Sequence, residues 1–260
     1  MKPWPEDRSD ALRQRLAERV RRSVEAHREF STVRREDLPW QTLAEGCEEA
    51  ALTSTAYSRV VLVRLAAGAA LHWPADAQAQ EVLVVQGSLQ ALPAGADAPT
   101  LLTPYGFALR DAAAAGTLRA HDGPTLLYVR HLCLPVQELP EPERAWWQLP
   151  RAALQLVPAG ARKWRPNFPG VEVMPLWGSA AITSMLVRFG PGAGVPDHRH
   201  AVHEDCLMLE GEMFLGDILL RAGDYQLAPA GGGHFGEMSD VGGTFFVHGA
   251  IDPVLVPARD

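Results

Sequence analysis

Gly192-Ala193-Gly194-Val195-Pro196-Asp197-His198-Arg199-His200-Ala201-Val202-His203-Glu204, with Gly211 seven residues past the glutamate, is the stretch on which the reading of this chain turns. It gathers three metal-ligand side chains, His198, His200 and Glu204, within seven residues. Alternate residues of a β-strand face the same way, so His198 and His200 point together, and Glu204 shares their parity if the strand runs on without a bulge. A second block, Gly223-Asp224-Tyr225-Gln226-Leu227-Ala228-Pro229-Ala230-Gly231-Gly232-Gly233-His234, reads as a short strand closed by a Pro/Gly turn that carries His234 back toward the same point. Three imidazoles and a carboxylate suit Fe(II), Mn(II), Ni(II) or Zn(II) and are too rich in nitrogen for Ca or Mg.

The two blocks resemble the two motifs of the cupin superfamily, G(X)5HXH(X)3-4E(X)6G and G(X)5PXG(X)2H(X)3N. Gly192, His198, His200, Glu204 and Gly211 meet every spacing of the first motif, and Gly223, Pro229, Gly231 and His234 those of the second. Met238 stands where the second motif has Asn. The resemblance implies a jelly-roll barrel, or double-stranded β-helix, holding one divalent transition metal on His198, His200, Glu204 and His234. Fe(II) or Zn(II) comes first, Mn(II) or Ni(II) next.

The rest of the chain is organised around that barrel. Val60-Val61-Leu62-Val63-Arg64-Leu65, Val82-Leu83-Val84-Val85 and Leu126-Leu127-Tyr128-Val129 are short β-rich runs divided by Gly, Pro and Ala-rich turns, which predicts an all-β sandwich or barrel. The Asp111–Gly116 segment is too short for a crossover helix. Sliding the sequence by 124 residues lays Gly46 on Gly170, Glu48 on Glu172, Leu52 on Leu176, Leu62-Val63-Arg64 on Leu186-Val187-Arg188, Gly68-Ala69 on Gly192-Ala193, Leu83 on Leu207 and Gly87 on Gly211. The chain is therefore expected to be two tandem cupin barrels, residues 33–135 and 166–260. A helical segment, 1–32, precedes them, and a Pro/Trp-rich linker, 136–165, joins them, with Trp146, Trp147 and Trp164 packing the halves together. In the same overlay Pro74, Asp76 and Gln80 replace His198, His200 and Glu204, and with the offset shifted to match Gly123 with Gly242 and Thr125 with Thr244, Ala115 replaces His234. The first barrel is expected to be metal-free, with His72 and Glu81 too few to rebuild a site.

The N-terminal segment reads as a helix over Ser9 to Phe30, with Leu12, Leu16, Val20 and Val24 forming an apolar stripe expected to lie on the following domain. Its arginines make it locally basic, and an acidic partner protein is the alternative. Over 260 residues the hydrophobic fraction is 47%, the charged fraction 21% and the net charge −7, which describes an ordinary globular protein and argues against a nucleic-acid-binding surface. Three dispersed cysteines, an N-terminus without a signal-peptide core and no long apolar run predict a cytoplasmic protein with no membrane contact.

Within the cupins the chain resembles the ChrR-like group. The resemblance rests on Val63-Arg64-Leu65-Ala66-Ala67-Gly68-Ala69, Val187-Arg188-Phe189-Gly190-Pro191-Gly192-Ala193, Leu209-Glu210-Gly211 and the Gly223–His234 turn. That group joins the cupin domain of ChrR-type anti-sigma factors to small metal dioxygenases that cleave diketones and hydroxyaryl ketones. The anti-sigma members carry a His-x3-Cys-x2-Cys element, and before residue 46 this chain has only His27 and no cysteine. The resemblance therefore implies a dioxygenase acting on a small carbonyl compound. The alternative is a regulatory or sensor cupin with a sigma-factor partner, in which Cys206 could be an oxidation target; a purely structural zinc site is a third reading. No separate catalytic base is identifiable. Cys206, Met208, Tyr225 and Phe235 have the parity or position to line the cavity, Met208 more as core; His203, Asp205 and Arg199 point away from the metal. Strand-edge pairing, common in cupins, implies a homodimer.

Overall fold

The computed structural model describes residues 6–111, 116–148, 154–179 and 181–250. Position 115, which the repeat sets against His234, lies outside them, as do the N-terminal residues 1–5 and the last ten of the chain. Two seven-strand paths run in parallel order. One is Leu154–Val157, Phe107–Asp111, Ala79–Gln86, Thr125–Leu132, Ser58–Leu65, Cys47–Ser54 and Gln41–Ala44. The other is Ser31–Val33, Tyr225–Ala228, Glu204–Leu215, Gly243–Ala250, Ile182–Phe189, Val171–Gly178 and Arg165–Phe168. Shorter sheets close each barrel: Leu89–Pro93 with Thr100–Leu102 and Gly116–Ala120 in the first, His198–Arg199 with Gly233–His234 in the second. The architecture is two tandem jelly-roll barrels preceded by a helix.

The first strand of each path belongs in sequence to the other barrel. Ser31–Val33 precedes the first barrel yet pairs with Tyr225–Ala228 of the second, and Leu154–Val157, expected as linker, pairs with Phe107–Asp111 of the first. Each half thus completes the sheet of its neighbour. The duplicated glycines share one cause: Gly87 and Gly211 both have positive φ, 82° and 71°, and a Cβ at either would strike a backbone carbonyl, that of Pro124 or Gly242.

The inner strands read as continuous apolar runs because both of their faces are buried. Val61, Val63, Val82, Val84, Leu127 and Val129 fill the first barrel. Their neighbours Val60, Leu62, Leu83 and Tyr128 turn outward into a cluster with Leu186, Leu207, Tyr225 and Phe246 of the second barrel. Trp146 and Trp147 are buried in that shared cluster, while half-buried Trp164 lies under the Arg188 guanidinium, 4.3 Å from its centroid.

Charge is buried at the same interface in a reciprocal pattern. Glu81 pairs in register with Arg130, and at the repeat-related place Asp205 pairs with His248. Each cation, however, meets the carboxylate of the opposite barrel: Arg130 Nη1 lies 3.4 Å from Asp205 and His248 Nδ1 3.3 Å from Glu81. Tyr128 and Phe246 stack across the same axis at 4.9 Å. Glu143, on the short helix Glu143–Trp147, bridges Arg130 at 3.3 Å and His248 Nε2 at 3.4 Å. The Ser184 hydroxyl donates to Glu81 and that of Tyr225 to Asp205.

The helix, Glu6–Ala26, departs from expectation. Leu12, Leu16, Val20 and Val24 are 53–65% exposed, so the apolar stripe does not lie on the barrels. Contact comes from polar residues instead: Arg19 reaches Asp217 at 2.7 Å, and the His27 ring lies against Gly216.

Burial and the nearby Arg130 work to lower the pKa of His248, and Glu81 and Glu143 overcome them, pushing it up to about 9. A raised histidine contributes stability that is complete below its ordinary value near 6.5 and is lost as pH climbs toward about 9. The free energy of urea unfolding should therefore fall by about 1–2 kcal/mol between roughly pH 6.5 and 8.5. His248→Gln should be less stable at pH 6.5 and lose clearly less across that window, Glu237 supplying what slope remains; an equally steep wild-type and variant profile would refute the assignment.

Candidate metal centre

Two local pairings assemble the second barrel's histidines. His198–Arg199 and Gly233–His234 form a two-residue ladder with His198 directly opposite His234, and cross-strand partners share a face. The backbone of His200 is fixed by bonds to Gly232 and Gly231, 2.9 and 2.8 Å. The rings converge, with centroids 5.1 Å apart for His198 and His200, 4.7 Å for His200 and His234, and 5.6 Å for His198 and His234. Glu204 opens its strand between Ala228 and the Gly243–Ala250 strand. A Cβ at Gly249 would sit 2.8 Å from Glu204 Cγ, so glycine there leaves the carboxylate its place. The carboxylate oxygens lie 3.2 Å from His200 Nδ1 and 3.4 Å from His234 Nε2.

One donor atom from each of His198, His200 and Glu204 lies within 4.8 Å of the others, a triad that could hold an ion, with His234 against the same carboxylate. The chemistry of the set fits a divalent transition metal. His198 Nδ1 lies 3.0 Å from the Pro196 carbonyl, which can only accept, so Nε2 keeps its lone pair for the site. His234 Nδ1 is buried without a hydrogen-bond partner. Burial also lowers the pKa of His234 and favours the neutral ligand form. Burial works to raise Glu204, but the His200 and His234 imidazoles overcome it and hold the carboxyl below the usual range. Phe30, leading into the swapped strand, sets its ring edge-on to His234 at 5.7 Å.

The site opens into a cavity of about 610 Å³. His198, Glu204 and Glu237 supply its buried polar end, and Val173, Met185, Val187, Phe189, Phe245 and Val247 its walls. Glu237 was not anticipated from sequence; its position three residues after His234, past Phe235 and Gly236, is the only local signal. Its carboxylate lies 3.7 Å from His198 Nε2, and burial, with Glu204 adding to it, pushes it up to about 8. Cys206 and Met208 pack in the barrel's apolar cluster rather than on the cavity wall. Tyr225 turns to the inter-barrel face to bond Asp205, and Phe235 is exposed beside Arg199. Asp205 does point away from the triad, but into the other barrel. Exposed Arg199 reaches the Gly231 carbonyl, and half-buried His203 lies near Glu143.

The repeat-related place in the first barrel is built differently. Gln80 replaces Glu204 and pairs in register with Arg110 and His131, which stand where the second barrel has Ala228 and Gly249. Its amide accepts from Arg110 Nε at 2.5 Å and donates to His131 and to the His72 carbonyl. Glu81 is turned away into the inter-barrel network.

Comparison with known proteins agrees with this architecture. Residues 153–251 match the family model of the ChrR Cupin-like domain. Among solved structures, the protein Ylba from E. coli superposes with a TM-score of 0.67 at 13% identity, covering 85% of this chain and 90% of that one. Oxalate decarboxylase from Lactobacillus farciminis superposes at 0.61 and 15% identity, over 85% and 88%, and AerE from Microcystis aeruginosa at 0.61 and 15%, over 82% and 97%. No curated protein matches in sequence. The chain is a cupin-fold protein of two barrels, and its second barrel is the part that matches the ChrR Cupin-like domain. No helix among the described residues is long and apolar enough to cross a membrane.

Two outcomes test the centre. Chelation should lower the melting temperature by about 5 °C or more, since a buried cluster of donors stabilises the fold only when its ion is present. Gly249→Ala, by displacing Glu204, should weaken metal retention by about tenfold or more while circular dichroism stays unchanged; full retention would show that the carboxylate is not a ligand.

Proposed function

We propose that the second barrel holds one divalent transition metal on His198, His200, Glu204 and His234, and that the protein is a metal-dependent dioxygenase acting on a small carbonyl compound of the diketone kind. The observation that carries this reading is the cavity: two of the four proposed ligands, His198 and Glu204, face a space large enough for a substrate. A closed structural site would have no use for it. A metal held there supplies Lewis acidity toward substrate oxygens and, as Fe(II), electrons for dioxygen. The apolar walls exclude water and align a small organic molecule. Glu237, on the cavity wall beside His198, is positioned to accept a proton from the carbon between two carbonyls.

The test is oxygen uptake by metal-loaded protein with pentane-2,4-dione and a hydroxyaryl ketone. Substrate-dependent consumption, lost in His198→Ala, is expected. Glu237→Gln should keep its metal and lower kcat by about a hundredfold. No uptake with either class at full metal occupancy would reject the assignment. A regulatory cupin is the second reading, favoured by the exposed Leu12, Leu16, Val20 and Val24 stripe; capture of a sigma factor through that helix, without oxygen uptake, would establish it.

A further inference from the structure

The outer end of the cavity is cationic, and its charges are unspent. Arg162, Lys163 and Arg165 line it within four residues of one another, all exposed. Arg165 lies directly opposite Val173, a wall residue, and cross-strand partners share a face, so its side chain belongs to the cavity side of the sheet. Several other arginines find carboxylates: Arg188 takes Glu172 at 2.5 Å, Arg59 takes Glu49, Arg34 takes Asp224. Among the described residues no carboxylate lies within 4.0 Å of Arg162, Lys163 or Arg165. In a chain of net charge −7 this concentrates positive charge, without a carboxylate partner among the described residues, at the mouth of an apolar chamber whose far end holds His198, Glu204 and Glu237.

We infer that the cavity selects an organic anion: a molecule with an apolar body that reaches toward His198 and Glu204 and a negatively charged group held at the Arg162, Lys163 and Arg165 rim. The inference rests on reading the site as an open metal centre and ranks carbonyl compounds that carry an acid group above neutral diketones among its substrates. Charge on the rim of a desolvated pocket raises both encounter rate and selectivity, and guanidinium groups match carboxylate geometry in pairs. The apolar walls reject small inorganic anions, which gain nothing from them.

The experiment uses metal-loaded full-length protein and two dyes of similar body, 8-anilinonaphthalene-1-sulfonate, an anion, and N-phenyl-1-naphthylamine, which is uncharged. Metal content and melting temperature are measured on every sample. The wild type should bind the anionic dye more tightly, and added salt should weaken that dye alone. The triple variant Arg162→Glu, Lys163→Glu, Arg165→Glu should keep its metal and melting temperature, lose about tenfold or more in affinity for the anion and change less than twofold for the neutral dye. Met185→Trp, which fills the chamber, should weaken both dyes. Equal loss of both dyes in the triple variant, or no loss of either, overturns the inference while leaving the metal centre intact. Undiminished binding in Met185→Trp overturns it as well, by placing the dyes elsewhere. A wild type that holds no metal would instead count against the underlying site.

Discussion

Arg130, Glu81, Asp205 and His248 are almost without access to water, and none of them can stay charged at acceptable cost unless the two barrels face one another. Each barrel contributes one cation and one carboxylate at repeat-related positions, and each cation is neutralised across the interface. A barrel alone would expose this charge together with the apolar face around Tyr128 or Phe246. The swapped strands Ser31–Val33 and Leu154–Val157 bind the same two bodies by backbone hydrogen bonds. The tandem arrangement is thus a condition for either barrel to be buried correctly. Asp205 adjoins Glu204 and His248 adjoins Gly249, so the interface that joins the barrels also fixes the strands that carry the proposed carboxylate ligand.

The two barrels show how one scaffold yields a site or fills it. Where the second has Glu204, Ala228 and Gly249, the first has Gln80, Arg110 and His131, and the volume open to a carboxylate and an ion in one is taken by a guanidinium and an imidazole in the other. These replacements lie on neighbouring strands and add to the loss of the histidines, Pro74 and Asp76 standing in the repeat where the second barrel has His198 and His200. What distinguishes the second barrel further is that its interior is left open toward the Arg165–Phe168 strand.

Much of this was legible in the sequence because it depends on short-range rules. The His198, His200 and Glu204 spacing reports strand parity, and the glycines that repeat at an offset of 124 all have positive φ, so both survive as local patterns. What escaped depends on long-range contacts. The swapped strands are three and four residues long and have no periodicity to read. Outward parity was right for Asp205, but the outside of a barrel is an interface when a second barrel lies against it. The Leu12–Val24 stripe is amphipathic in sequence, and amphipathicity does not say what the apolar face covers; here it covers nothing among the described residues. Glu237 and the Arg162, Lys163 and Arg165 rim gain meaning only from the cavity they share.

The central claim is that His198, His200, Glu204 and His234 form one transition-metal site. The most direct test is the metal content, by mass spectrometry, of protein purified with neither added metal nor chelator, beside His198→Ala and His234→Ala. About one equivalent of a single transition metal in the wild type, lost from both variants, is the result this account predicts. A folded wild type that carries no transition metal, or variants that retain it in full, would contradict it.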